Sequence, residues 1–179
     1  MAQRDFFRRE RGRVHTILWR IVGSNADMED LVQDAFMEIF RSMPRFRGES
    51  SLATWLDRIT VRVAYAHLRR RRAEAVHLSV VPEPLSGDPS AEERAIARET
   101  LRRLYAALDQ IEFKQRIAFV LCVIDGRPLK DVATAMDASL VATKVRVWRA
   151  RRTLVTLAGR DPLLSELLGG PLVTNEESR

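Results

Sequence analysis

Residues Leu129–Val155 read LKDVATAMDASLVATKVRVWRARRTLV, and the fold is decided by how this stretch divides. Leu129–Met136 suits a short helix, Asp137-Ala138-Ser139 a three-residue turn, and Leu140–Leu157 a longer helix. Going back from Leu157, the residues Leu154, Ala150, Val147, Thr143 and Leu140 recur in steps of three and four, one apolar stripe of that helix. At about 100° per residue, Trp148 falls off the stripe, beside Val141, Val145, Arg149 and Arg152. A short helix, a tight turn and a longer basic helix describe a helix-turn-helix. The face bearing Trp148, flanked by Lys144 and Arg151, suits a DNA major groove: arginine reaches guanine edges or phosphates, and apolar groups meet thymine methyls. The competing possibility is a solvated basic face with Trp148 packed on neighbouring helices.

The same helical periodicity extends outward from this motif. Phe6–Val22 is expected as a first helix ended by Gly23-Ser24-Asn25, and Asp27–Met43 as a second stopped by Pro44. Ser51–Arg72 forms a third, with Ser50 or Ser51 available as its N-cap. Val76–Ser90, VHLSVVPEPLSGDPS, carries three prolines, a glycine and three serines and reads as a flexible linker. Helices resume at Ala91, where Ser90 and Glu93 have capping-box spacing, and run to about Gln110. A fifth, near Lys114–Ile124, ends at Asp125-Gly126, a left-handed stop signal. After Gly159 the tail has one apolar patch, LLSELL at Leu163–Leu168, beyond which it is expected to fray. The expected fold is all-α: two small helical domains, 1–75 and 91–158, joined by the linker 76–90, the second a helix-turn-helix, with a tail 159–179.

Charge narrows the partners. Thirty Lys+Arg against 24 Asp+Glu give a net +6, and the excess is clustered: Arg69–Arg72 is a run of four arginines, and Lys144–Arg152 holds five basic residues with no acid. Such clusters favour a polyanion, nucleic acid first and an anionic membrane second. The single cysteine, Cys122, allows no internal disulfide, fits a reducing compartment and is expected as a small core residue. No signal-peptide core or membrane-length apolar run is evident, so a cytoplasmic location is expected. His15, His67 and His77 have no ligand spacing and no glycine-rich phosphate loop is present, so neither an enzyme, a metal site nor a cofactor is expected.

Two helix faces add detail. In the second helix Leu31, Val32, Ala35, Phe36, Ile39 and Phe40 share one side, while Asp27, Asp30, Gln33, Asp34, Met37, Glu38 and Arg41 share the other. Met37 within that polar face hints at a protein-docking surface; the alternatives are a metal site or a merely solvated acidic face. In the third helix Leu52, Leu56, Ile59, Val63 and Ala66 line one side, with Trp55 at its edge as a core residue. Arg58, Arg62, Tyr65 and Arg69 share a different side, a pattern that suits a nucleic-acid backbone with a base stacked nearby.

DMEDLVQDAFMEIF, FRGESSLATWLDRI and a long helix ending LRRRR resemble the second region of bacterial sigma factors of the extracytoplasmic-function type. ALDQIEFKQRIAFVLCVIDGRPLKDVATAMDASLVATKVRVWRARRTL resembles their fourth region, in the right order and spacing. The resemblance implies that Asp30, Gln33 and Asp34 dock on core RNA polymerase, and Met37, on the same face, is a further docking candidate. It implies that the loop Phe46–Leu52 and the third helix open the −10 element and capture a flipped base, at a cost of a few kcal/mol of stacking. The candidate −10 residues are Phe46, Arg47, Ser50, Arg58, Arg62, Tyr65, Ala66 and Arg69. The candidate −35 residues are Lys144, Val145, Arg146, Trp148, Arg149 and Arg152. The linker would thread near the polymerase's catalytic cleft and RNA exit path, and an anti-sigma factor is a further implied partner.

The chain departs from the family pattern at particular positions. Arg62 and Ala66 stand where the third helix usually has Asn and Asp, so its −10 preference is its own. Val141-Ala142-Thr143 replaces the usual Gly-Thr-Val opening of the recognition helix, and Val145 its serine, giving a more apolar groove face. Asp137 replaces the usual turn glycine. Two rival readings remain: a helix-turn-helix regulator that binds duplex DNA without polymerase, and a basic helical protein of membrane surfaces.

Overall fold

The computed structural model describes residues 3–23, 27–73 and 91–169, and every regular element among them is helical. The stop at Ser24-Asn25, the linker 76–90, the Ser90–Glu93 capping box and the end of the tail lie outside the described residues.

Helix α1 spans Gln3–Val22, three residues earlier than its apolar pattern begins. Gly23 ends it at φ 84°, with its N–H bonded to the Trp19 carbonyl at 2.8 Å. This is the left-handed termination that glycine adopts without a Cβ penalty. Helix α2 (Met28–Ser42) buries the expected stripe Leu31, Val32, Ala35, Phe36 and Ile39, and carries Glu29 and Asp30 in its first turn, where the helix dipole favours acids. Its core side is aromatic: Phe36 meets Phe7 at a ring distance of 4.5 Å and Phe40 at 5.9 Å. Such pairs contribute roughly 0.5–1.5 kcal/mol beyond their buried area. As expected, the α-helix does not pass Pro44. The proline sits within a 3-10 turn, Met43–Arg45, because proline's fixed φ is compatible with a new first turn.

Helix α3 (Leu52–Ala73) is capped by Ser51, whose Oγ accepts the Thr54 N–H at 3.1 Å. Its burial corrects the sequence pattern. Leu56 and Ile59 are buried as expected, but so are Val61, Ala64 and Leu68, whereas Ala66 is exposed and Leu52 and Val63 only half-buried. The reason is that α3 is packed on two sides, by α1 and α2 on one and by α5 and α6 on the other. A helix covered twice cannot show a single stripe.

Helix α4 (Ala91–Leu108) leads to α5 (Phe113–Phe119), whose start is set by Glu112 accepting the Gln115 N–H at 3.1 Å. The expected helix through Ile124 is not uniform, since Val120–Ile124 forms a π-helical turn before Gly126 at φ 66°. Helices α6 (Leu129–Ala135) and α7 (Leu140–Ala158) flank Asp137 at φ 51° and Ser139, whose Oγ accepts the Ala142 N–H at 3.1 Å. Asp is among the few side chains that tolerate this left-handed turn. Thr143, Ala150 and Leu154 are buried, but Leu140, assigned to the same stripe, is exposed because it lies at the helix's first position, beyond the reach of α5 and α6.

After Gly159 the apolar patch Leu163–Leu168 lies in a further helix. Helix α8 (Pro162–Gly169) packs on α7 and α4 and buries Leu164 and Leu168. Asp161 fixes its start, accepting the Leu163 and Leu164 N–H groups, and also pairs with Arg103 at 2.9 Å.

The two helical groups meet directly. Arg116 of α5 is 1% exposed and donates to the carbonyls of Ile21 at 2.8 Å and Val22 at 3.0 Å, the open end of α1, while pairing with Asp109. Burial pushes its pKa down and Asp109 opposes this. The Tyr105 hydroxyl donates to the Arg20 carbonyl at 2.9 Å, and its ring closes over Gly23, so a Cβ there would crowd the ring at 3.0 Å. A second link centres on buried Asp57, which accepts two bonds from Arg13, each 2.7 Å, and one from Arg127 at 2.8 Å. The Asp57 hydrogen bond holds the Arg13 pKa above its ordinary value.

Candidate nucleic-acid and polymerase interface

The exposed side of α2 follows from its two-sided sequence. Asp30, Gln33, Asp34 and Met37 are all exposed, and Met37 keeps 53% of its surface open in the middle of this acidic face. A large apolar side chain left open among carboxylates suits protein contact better than hydration. Among the described residues no group of three or more His, Cys, Asp or Glu is arranged to hold a metal ion.

Alongside lies a groove of about 490 Å³ between α2 and α3, lined by Asp34, Met37 and Glu38 on one wall and Arg62, Ala66 and Arg70 on the other. The acidic docking face and the basic face of α3 therefore adjoin. His67 is buried at the base, where burial first and the Arg71 and Arg70 charges second hold its pKa below the ordinary value.

The loop into α3 is held by Phe46 stacked near Trp55 at a ring distance of 5.0 Å, and Gly48 at φ 74° supplies the bend. Arg47 is exposed while Phe46 and Ser50 are half-buried. On α3 itself Arg62, Ala66 and Arg69 are exposed. Arg58 and Tyr65 are not free in this arrangement. Arg58 pairs with Asp137 at 2.8 Å, and Tyr65 lies edge-on to Phe113 at 6.3 Å, with Arg69 and Lys114 over its ring. Lys114 is a cation at this face that the periodicity of α3 could not reveal, because it enters from α5.

On α7, Lys144, Val145, Trp148, Arg149 and Arg152 are exposed together. Trp148 keeps 50% of its surface open, with the Arg152 guanidinium 5.5 Å from its ring centre. Packing of Trp148 in the interior is thereby excluded. Arg146 lies apart from this set and lines a groove of about 300 Å³ with Arg58, Arg62, Tyr65 and Lys114. Cys122 is half-buried, and burial pushes its thiol up to about 11, an inert setting. No helix among the described residues is long and apolar enough to cross a membrane.

Comparison with known proteins agrees with this geometry. Residues 6–74 match Sigma-70 region 2, and residues 101–154 match Sigma-70, region 4. The ECF RNA polymerase sigma-E factor of Escherichia coli (strain K12) is 30% identical over 151 residues, covering 79% of this chain and 78% of that protein. The RNA polymerase sigma-H factor of Pseudomonas aeruginosa is 28% identical over 159 residues, covering 84% and 81%. The ECF RNA polymerase sigma factor SigE of Mycolicibacterium smegmatis is 29% identical over 154 residues, 84% of this chain but 59% of that longer protein. Among solved structures, the sigma factor RpoE of Bartonella quintana, in complex with the anti-sigma factor NepR, superposes with a TM-score of 0.61 at 23% identity, covering 88% of this chain and 97% of that one. CnrH in complex with the cytosolic domain of CnrY gives 0.63 at 23% identity, covering 89% and 88%. The chain belongs to the extracytoplasmic-function family of RNA polymerase sigma factors.

Proposed function

We propose that this sigma factor, which binds core RNA polymerase and directs promoter-specific initiation, divides that work among the three surfaces just described. The exposed acidic face Asp30, Gln33, Asp34 and Met37 docks on the polymerase. The loop residues Phe46, Arg47 and Ser50, with Arg58, Arg62, Tyr65, Ala66 and Arg69, engage the melted −10 strand. Lys144, Val145, Trp148, Arg149 and Arg152 read the −35 duplex in the major groove, with Arg146 as a further cation on the same helix. The functional division runs 1–75 for docking and −10 engagement, 76–90 for the connection and 91–158 for −35 recognition. The protein acts in the cytoplasm, without a catalytic step or cofactor of its own.

The observation that carries this reading is the pairing of an open acidic face containing Met37 with a cationic face around half-buried Tyr65 and an open cationic face around Trp148 on one short chain. A regulator working without polymerase has no use for the first, and a membrane-surface protein has no use for a helix-turn-helix. Contacts at the −10 face favour a rearrangement on promoter binding. The Arg58–Asp137 pair is solvent-exposed at both ends, so breaking it costs little, about 0–1 kcal/mol. Freeing Tyr65 from Phe113 requires the helical groups to part, which also breaks the Arg116 and Asp57 links between them. An anti-sigma factor that covers these faces is a further partner; RpoE was solved with the anti-sigma factor NepR, and CnrH with the cytosolic domain of CnrY.

A gel-shift on promoter DNA with and without core polymerase tests the reading. Sequence-specific retention is expected only when core enzyme is present. Tight, specific binding by the isolated chain, unaffected by core enzyme, would assign it to the polymerase-independent class.

A further inference from the structure

The outer face of α7 holds an unusual concentration of open aliphatic surface. Val141 is 74% exposed, Val145 40% and Trp148 50%, at steps of four and three, so they form one row on the helix. Lys144, Arg149 and Arg152 flank the row, and α7 contains no acid from Leu140 to Ala158. Water gains nothing from such a row, and a cationic rim selects an anionic partner with apolar points on its surface. The major groove of DNA is that partner: phosphates line its walls, and each thymine projects a C5-methyl from its floor. The row begins in the first turn of the second helix of the helix-turn-helix, the part that reaches base edges.

We infer that Val141 and Val145 are specificity-determining residues that select thymine at two positions of the −35 element by contact with its C5-methyl group. This rests on the promoter-recognition reading and narrows it to a chemical group. The spacing of the two contacts follows from geometry. Four helical residues rise about 6 Å, against about 3.4 Å per nucleotide of duplex, so the two methyls lie about two base pairs apart. Trp148, one turn further along and under the Arg152 guanidinium, closes the apolar row against water.

The test uses the holoenzyme formed by this chain and core RNA polymerase. It first selects binders from promoter templates with a randomised −35 segment. Each thymidine of the enriched element is then replaced, one at a time, by deoxyuridine, which removes the methyl and nothing else. Two sensitive positions about two base pairs apart are expected, each losing about fourfold in affinity, the worth of one buried methyl group. Val145→Ala should abolish the sensitivity at one position and Val141→Ala at the other; both sites are solvent-exposed and alanine favours helix, so folding is kept. Equal affinity for thymidine and deoxyuridine overturns the inference while an enriched element still supports promoter recognition. Full promoter affinity of the doubly substituted chain also overturns it. Failure to enrich any sequence overturns both readings.

Discussion

Replacing Arg116 by alanine probes the joint between the helical groups. The guanidinium is buried and serves three acceptors: the Ile21 carbonyl at 2.8 Å, the Val22 carbonyl at 3.0 Å and the Asp109 carboxylate. The two carbonyls belong to the last turn of α1, which has no further helical N–H groups to satisfy them. Truncation removes two charge-assisted hydrogen bonds, each worth about 1.5–3 kcal/mol, and opens a cavity that the interior cannot readily refill. Asp109 is 40% exposed and can recover water, so its share of the loss is small. Two such bonds, partly offset by relaxation around the cavity, put the expected loss at about 3–5 kcal/mol. For a chain of this size it lowers Tm by roughly 6–20 °C, at about 2–4 °C per kcal/mol. Guanidinium unfolding followed by circular dichroism measures the first number, and calorimetry the second. Arg116→Met, which fills the space but donates nothing, should retain part of the loss. A change below about 1 kcal/mol in Arg116→Ala would refute the idea that this residue closes the end of α1.

Other expectations follow from single sites. Asp34→Arg should abolish co-elution with core polymerase while leaving the far-ultraviolet spectrum unchanged, because the side chain is exposed on α2; unchanged co-elution refutes its docking role. Arg149→Ala should relax discrimination at one −35 position by about 1–3 kcal/mol if it reads a base, and weaken all sequences evenly if it meets phosphate. The folded-state pKa of His67 lies below its ordinary value, so the unfolded chain takes up the proton first as pH falls. Stability from this site is complete above about pH 6.5 and declines as pH drops towards the folded value. A His67→Gln chain should lose that part of the pH slope, and an identical slope refutes the assignment. Cys122, pushed up to about 11 by burial, should react with iodoacetamide far more slowly in the folded chain than in guanidinium. Equal rates would contradict its burial.

Legibility in the sequence varied with the number of neighbours each helix has. The α2 stripe and the helix-turn-helix could be read from spacing because each turns one side to the interior and one to solvent. Helix α3 could not, because Val61, Ala64 and Leu68 are buried against a second set of helices and break the simple period. The exposure of the candidate residues on α2 and α7 was legible from spacing, Met37 and Trp148 included, except for Arg146, which turns into a groove with α3 and α5. The joint between the helical groups was not, since Arg116 and Tyr105 donate to backbone carbonyls, and a carbonyl leaves no trace in side-chain identity. Helix α8 was read only as an apolar patch. Its anchor is Asp161, which closes the helix start and grips Arg103 from far along the chain.

Run-off transcription on genomic fragments, with core polymerase in the presence and absence of this chain, addresses the central assignment most directly. Discrete start sites that appear only when the chain is added, share upstream −35 and −10 elements and vanish with Asp34→Arg are the predicted result. Start sites indifferent to the chain, or repression of transcripts made by another initiation factor, would contradict it.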